Sequence, residues 1–450
     1  MEESSLHEMA CENKMDAASH MLPKCQTAIL KSDSLLYLNM TLSAVRSLVI
    51  YLHEHSSVIF ASVILVIVLY VMYKCYWNPV FYSKELTDIG FEHIRPGPDR
   101  PARVARAQLA RKLGYKIPPP YPNGWFAVAE SSELRVGGVL AMDVLGQNLC
   151  LFRGEDGVAR CVDAYCPHLG ANLAIGGAVT GNCIQCPFHK WTFGPDGVCK
   201  SVPGVEKAPR GVAVKSWQTC EADGAVWIWH DADGREPQWS MDYSPGHWAY
   251  RGRNEFVVSA HIQEIPENGA DVAHLNAVHS PSVVTGLAEK YPFLLNIIGS
   301  HVWSATWNKG EGHIADLTLT HDYKIMKCNL FHIDVTVQQI GPGFVRLFLK
   351  TPLGPILVSQ SVTPLGPLLQ KVTHRVFSPA YNAPWAALVV YNEAYMFERD
   401  VAIWNNKIFV GAPAYVKADK TIRAFRSWFS QFYSENSKSF KDAIQNPLEW

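Results

Sequence analysis

The 450-residue chain has no surplus of charge of either sign: 40 Lys and Arg stand against 41 Asp and Glu. Binding nucleic acid needs a basic surplus to neutralise phosphates, so no nucleic-acid partner is expected. The sequence also lacks a G-x-G-x-x-G motif between a strand and a helix. That argues against a doubly wound dinucleotide site, and any NAD(P)H is expected to bind a separate reductase. A disulfide framework is missing too. Eleven cysteines is an odd number scattered over a long chain, which fits a reducing compartment. Cys11, Cys25, Cys75, Cys150, Cys161, Cys199, Cys220 and Cys328 read as plain thiols. Cys183 and Cys186 form a C-x-x-C, which leaves a redox pair open.

Long apolar runs are absent, with one exception. Ser56 to Tyr73 holds no charged residue. Eighteen helical residues span roughly 27 Å, enough for a thin bilayer. Tyr70, Tyr73, Tyr76 and Trp77 mark its far edge as an aromatic belt. The run starts too far into the chain, and lacks the small-residue cleavage site, for a signal peptide. Basic residues cluster after it: Lys74, Lys84, Arg95, Arg100, Arg103, Arg106, Arg111 and Lys112. Only Arg46 is basic in the twenty residues before it. The positive-inside tendency therefore predicts a single-pass membrane protein with its large C-terminal part in the cytosol and an N-terminal lumenal segment at 1–55. The endoplasmic reticulum is the expected membrane. Asn39-Met40-Thr41 is a glycosylation sequon in the lumenal part. Residues 33–55 look weakly helical and amphipathic. The predicted membrane helix covers 56–77, and 78–123 reads as a basic, Pro-rich linker. Within it, Arg103 to Lys112 suits either a helix lying on anionic lipid or a solvated one.

From 124 to 235 the chain reads as short strands punctuated by glycine, the pattern of a small all-β domain. It contains Cys166-Pro167-His168 and, after seventeen intervening residues, Cys186-Pro187-Phe188-His189. Two Cys and two His in this presentation can hold either zinc or a [2Fe-2S] cluster. Pro167 and Pro187 stiffen the two loops. Gly170, Gly176 and Gly177 let the backbone run close to a cluster, where amide N–H groups can donate to sulfur. Pro203-Gly204 suits a third covering loop, and Trp191 suits a shield, though packing alone would also explain it.

From 236 to 450, strand-like runs such as Asp334 to Val337 and Phe344 to Leu349 alternate with apolar segments rich in Pro and Gly. Near the start of this region stands Glu267-Asn268-Gly269-Ala270-Asp271-Val272-Ala273-His274, with His279 five residues on. Asp271 and His274 would share a helix face. His274 and His279 would not, so a π-type bulge or a helix end between them is implied. Two His and one carboxylate on one face of Fe(II) leave positions open for O2 and substrate. The carboxylate must come from elsewhere. Asp400, in the helical stretch Phe397 to Trp404, is the leading candidate and Glu398 the alternative.

From about Gly124 to Val410 the chain resembles the Rieske-type non-haem iron oxygenases. Its Cys166-Pro167-His168-Leu169-Gly170-Ala171, Cys186-Pro187-Phe188-His189-Lys190-Trp191 and Asp400-x-x-Ile403-Trp404-Asn405-x-Lys407 segments, with the apolar run, look like the animal cholesterol 7-desaturases of the Neverland type. The resemblance implies an α+β fold: an N-terminal transmembrane helix, an all-β Rieske domain, and a helix-grip catalytic domain with an antiparallel sheet. It implies a [2Fe-2S] cluster on Cys166, His168, Cys186 and His189, and a mononuclear Fe(II) on His274, His279 and Asp400. Asp271 would carry electrons between them by bonding an iron-ligating His and reaching a cluster His of a neighbouring subunit, which implies a homotrimer. The implied reaction converts cholesterol, the sterol substrate, to 7-dehydrocholesterol with O2 and NAD(P)H-derived electrons from a reductase. Val283 to Ile298 and Leu353 to Leu369 suit either the entrance of an apolar sterol site near membrane lipid or ordinary core or loop. Two alternatives stay open: a Rieske hydroxylase of another steroid or hydrophobic substrate, and a non-catalytic electron-transfer protein.

Overall fold

The structure, a computed structural model, describes residues 39–112, 116–280, 299–325 and 328–445. The segment Val283 to Ile298 lies outside the described residues, as do Cys11 and Cys25. The chain divides into two units, up to Lys74 and from Cys75 onward. In the first, helix α1 covers 39–54 and α2 is Ser56–Trp77. Within α2, Ser56–Lys74 is the one helical stretch among the described residues that is long and apolar enough to cross a membrane, and none of it is buried.

In the second unit, β1 (Val80–Lys84) and α3 (Arg100–Lys112) precede a set of short strands. These are β2 (Gly124–Glu130), β3 (Val139–Val144), β4 (Gln147–Arg153), β5 (Ala159–Asp163), β6 (Ala178–Thr180), β7 (Cys183–Gln185), β8 (Thr192–Phe193), β9 (Cys199–Ser201), β10 (Ser216–Trp217), β11 (Thr219–Ala222) and β12 (Ala225–His230). They form three antiparallel sheets in the orders β10-β5-β4-β3, β11-β12-β2 and β6-β7-β8-β9. Residues 124–230 are thus all-β, as their glycine-punctuated apolar runs predict. The turn between β11 and β12 is Asp223-Gly224 with both residues left-handed (φ +43° and +78°), the Asp-Gly pairing that tight hairpins favour.

The rest is α+β. Strand β13 (Ala249–Val258) leads into helices α4 (Glu264–Glu267) and α5 (Val272–Val278). Long strands follow: β14 (Ser300–Lys309), β15 (Ile314–Ile325), β16 (Cys328–Ile340), β17 (Phe344–Thr351), β18 (Gly354–Gly366) and β19 (Leu369–Ser378). Helices α6 (Ala383–Trp404), α7 (Lys420–Phe429) and α8 (Phe440–Gln445) complete the chain. The sheet order is β1-β13-β19-β18-β17-β16-β15-β14. Every pairing is antiparallel except the edge pair β1–β13, which is parallel from Val80↔Gly252 to Lys84↔Phe256. Part of the stretch read as a linker is therefore a strand of the large sheet. Gly252 makes the pairing possible, because a Cβ there would lie 2.1 Å from the Val80 carbonyl oxygen. Leu353 to Leu369 forms the turn and strand of a hairpin in this sheet rather than a loop.

Alternation in β16 shows why this sheet is two-faced. Ile333, Val335 and Val337 are buried, while Asp334 and Thr336 between them are exposed. The buried face continues through Leu347 and Leu349 to Ile356, Val358 and Val376, where α6 packs on it through Ala386, Val389 and Val390.

Two buried arginines join the all-β part to the large sheet. Arg375 on β19 donates to both carboxylate oxygens of Glu130 on β2, at 2.6–3.1 Å, and to Ser361 Oγ at 2.9 Å. Arg346 on β17 donates to both oxygens of Asp223 at 2.8 and 3.2 Å. Thr363 Oγ1 adds a bond to the Ala127 carbonyl at 2.6 Å. With side chains 3% and 7% exposed, Arg375 and Glu130 depend on each other for charge neutralisation. Glu130→Ala is expected to destabilise the protein by about 3–5 kcal/mol, because it strands a buried guanidinium. The companion Glu130→Ala/Arg375→Met is expected to recover much of that loss in denaturant titrations of the purified protein.

Candidate cluster and metal sites

Cys166 and Cys186 open two loops built the same way. In the first, the Cys166 N–H donates to the Ala171 carbonyl at 2.9 Å and the Gly170 N–H to the Cys166 carbonyl at 2.9 Å. In the second, Cys186 donates to Trp191 at 2.8 Å and Lys190 to Cys186 at 3.2 Å. The fourth residue after each cysteine is left-handed: Gly170 at φ +73° and Lys190 at φ +59°. Glycine adopts this freely, whereas lysine does so at a cost of about 1–2 kcal/mol. Aligning the two hexapeptides by their cysteines would have exposed Lys190 in the sequence.

The loops bring the four predicted residues together. The two thiols are buried and neighbours, and the His168 and His189 rings lie 4.7 Å apart. Trp191 stacks on His168 at 4.4 Å and 9°. Burial pushes the Cys166 thiol up to about 11. The His168 and Leu169 N–H groups act against that by donating to its sulfur, while Cys186 adds to it. The amide donors expected around a cluster sulfur are thus present, supplied by the residues after Cys166, and the donor set fits a group that replaces the thiol protons. Val202, Ala208 and Val212, around the Pro203-Gly204 turn, pack on the same small core as both cysteines. The cysteines lie inside and His168 outside; the apolar side chains Leu169, Ile175, Phe188 and Val205 of the same domain are exposed too. Cys183 belongs to β7. The eight cysteines whose side chains are described are all free thiols, so Cys183 and Cys186 form no disulfide.

The second site forms around α5. Asp271 is its N-cap, accepting from the His274 N–H at 3.2 Å, and His279 is its C-cap. A helix end, not a bulge, therefore lets histidines five apart face one point. The His274 ring places Nδ1 2.5 Å from the Asp271 carbonyl oxygen. Nδ1 must carry the proton in that bond, so Nε2 is left with a free lone pair. The bond to the ring comes from the main chain of Asp271, because its carboxylate is engaged in capping. From α6, Asp400 reaches in, with Oδ2 3.2 Å from His279 Nε2. His274, His279 and Asp400 each offer a ligand atom within 4.8 Å of the others, and His279 and Asp400 are buried. Two ligands at right angles on one metal lie about 3 Å apart, so this group fits a single ion. Glu398 does not join them. Its carboxylate accepts from the Tyr82 hydroxyl and lies 3.9 Å from Lys84 Nζ. Glu267, part of the same motif, has a packing role: Arg426 on α7 donates to both its oxygens at 2.7 and 3.2 Å.

A model of the Rieske [2Fe-2S] domain matches residues 124–218, and one of the 3-ketosteroid 9alpha-hydroxylase C-terminal domain matches 228–433. A cholesterol 7-desaturase of Bombyx mori is 66% identical over 85% of this chain and 85% of its own length. The chain belongs to the cholesterol 7-desaturase family of Rieske oxygenases. The Drosophila melanogaster member is 43% identical over 81% of this chain and 86% of its own. Among solved structures, a theobromine-bound mutant of Pseudomonas putida NdmA shares the fold, with a TM-score of 0.53 at 19% identity over 72% of this chain and 94% of that one. As a member of this family the protein is an oxidoreductase with a [2Fe-2S] cluster and a mononuclear iron, dependent on O2 and NAD(P)H.

Gly177 supports the cluster loops by close approach: a Cβ there would lie 1.9 Å from the Leu173 carbonyl oxygen. Gly177→Ala is expected to cost the protein its cluster, read as loss of the visible absorbance and reduced-state electron paramagnetic resonance signal. Gly366→Ala, on the large sheet, where a Cβ meets nothing closer than Leu369 Cβ at 3.8 Å, is the control expected to keep both.

Proposed function

We propose that the protein is a membrane-anchored cholesterol 7-desaturase. The observation that carries this is the convergence of His274, His279 and Asp400 in a chain 66% identical to a cholesterol 7-desaturase. The net reaction joins cholesterol, O2, NAD(P)H and a proton to give 7-dehydrocholesterol, two waters and NAD(P)+. Two electrons and two hydrogens come from a C7–H and a C8–H bond as the C7–C8 double bond forms, and two electrons from the nicotinamide through a separate reductase. Cys166, His168, Cys186 and His189 hold the cluster, and His274, His279 and Asp400 the iron. Iron bound there supplies oxygen activation, and the cluster supplies electrons one at a time.

The protein's own residues set the conditions. The Asp271 carbonyl fixes the His274 tautomer. The apolar sheet face of Leu319, Phe331, Ile333, Val335, Leu347 and Leu349 keeps water from the sterol, in a helix-grip arrangement with α6. The exposed rim around His168 suits docking onto a neighbouring subunit in a homotrimer, where Asp271 would link the cluster of one chain to the iron of the next. The helix from Ser56 anchors the protein, with the catalytic part cytosolic at the endoplasmic reticulum. The boundaries at 56–77, 78–123, 124–235 and 236–450 are those of anchor, linker, Rieske domain and catalytic domain. The match to a 3-ketosteroid hydroxylase domain model supports a second reading, hydroxylation of a steroid.

The test feeds labelled cholesterol to cells that lack 7-dehydrocholesterol synthesis and express the full chain. Labelled 7-dehydrocholesterol from the wild type, and none from Asp400→Ala, His274→Ala or Cys166→Ser, is expected by mass spectrometry. Purified Asp400→Ala should lose about one iron per chain while keeping the cluster's two and its spectrum. A hydroxylated sterol instead would move the assignment to the second reading. Unchanged iron content in Asp400→Ala would reject Asp400 as a ligand.

A further inference from the structure

Beside the metal site, β14 and β15 carry an imidazole pair that the metal chemistry leaves unused. His301 Nδ1 lies 2.6 Å from His321 Nε2, with the rings 4.8 Å apart and 22° from parallel. Trp303 stacks on His321 at 4.1 Å and aims its indole N–H at the His279 carbonyl, 3.5 Å away. The His301 N–H donates to the Ser280 carbonyl at 2.8 Å, directly after the metal-site histidine. The pair is therefore tied to the His279 end of α5 through β14. By register, Trp303 opposes His321 and His301 opposes Tyr323, on the sheet face that continues through Ile333 and Phe331. This polar pair thus stands at the edge of an apolar surface.

His301 Nε2 is buried and makes no hydrogen bond among the described residues. Such an atom costs about 1–3 kcal/mol unless something pairs with it. Burial holds His301 down to about 3 and His321 to about 4, so both rings are neutral at neutral pH. A neutral pair shares one proton across the 2.6 Å contact. If His301 donates, its Nε2 is an acceptor; if His321 donates, His301 Nε2 is a donor. A hydroxyl group satisfies either arrangement by rotating its hydrogen. A ketone satisfies only the second, and a hydrocarbon neither.

We propose that the His301–His321 pair binds the 3β-hydroxyl of the sterol, with His301 Nε2 making the hydrogen bond that sets which ring carbon faces the metal site. This rests on the sterol reading above. A sterol has one hydroxyl at the end of an otherwise apolar ring system. A polar pair at the edge of an apolar face, tied to a metal ligand, matches that distribution. His301 is then a substrate-binding residue, and His321 and Trp303 position it.

The test compares cholesterol with cholest-5-ene, which lacks the hydroxyl but keeps C7 and C8. Binding of each radiolabelled sterol to the full-length purified protein is measured alongside turnover with the reductase. The wild type is expected to bind cholest-5-ene about three- to tenfold more weakly, the range for one neutral hydrogen bond. His301→Phe keeps the stacked ring but should bind the two sterols equally, by weakening cholesterol alone. His301→Gln, which restores a polar group at that reach, should regain part of the preference. Products formed by His301→Phe should spread to carbons other than C7. Equal loss for both sterols in His301→Phe, or a wild type indifferent to the hydroxyl, would overturn the assignment. A wild type that binds neither sterol, with its iron content intact, would overturn the sterol reading and this inference with it.

Discussion

The buried Arg375–Glu130 pair is the constraint on which the architecture turns. It clamps β2 of the all-β domain onto β19 of the large sheet, and Arg346–Asp223 repeats the device one hairpin away. Neither arginine can leave without stranding a charge in a region of low dielectric, so separating the domains is costly. Burying ion pairs is a poor source of net stability, but it is a strict test of register. Glu130 and Arg375 meet only if the domains dock in one way, and the cluster loops are then fixed relative to the catalytic sheet.

The metal site depends on a second long-range closure. Helix α5 is too short to bring three ligands to a point, and its two histidines need a helix end between them to converge. The carboxylate comes from α6, 121 residues beyond His279, after the whole β14–β19 meander has been laid down. Asp400 reaches the histidines because α6 is held across the buried sheet face by Ala386, Val389 and Val390. Sheet packing thus determines ligand geometry, and the same face carries the apolar residues that would meet a sterol. His301 and His321 extend this logic: a strand pair used for packing also holds two imidazoles in contact, with β14 bonded to the His279 end of α5.

Much of this was legible in the sequence, because the chemistry is local. Cysteine and histidine two or three apart across a proline must share a loop, whatever the fold. An apolar run of eighteen residues must be a helix of membrane length. His274 and His279 sit on one short helix and its cap, so their convergence needed only a helix end between them. Asp400 was placed by likeness to a family, and Glu398, two residues away, stayed open until the structure turned it toward Tyr82.

What tertiary structure alone decided is everything that depends on pairing distant strands. No local pattern says that β1 joins the large sheet in parallel, that Glu130 meets Arg375, or that His301 lies against His321. Those contacts are set by register, and register is a property of two segments together. The contacts of Asp271 are also read from the fold, although they are local rather than set by strand register. Its sequence position announces a residue beside an imidazole, but only the capping geometry of α5 assigns its carboxylate to the helix and its carbonyl to the ring. The sequence determined which chemistry the chain carries, since ligand type and spacing are written within single loops. The fold decided which atoms perform it, since those atoms meet only after the sheet has closed.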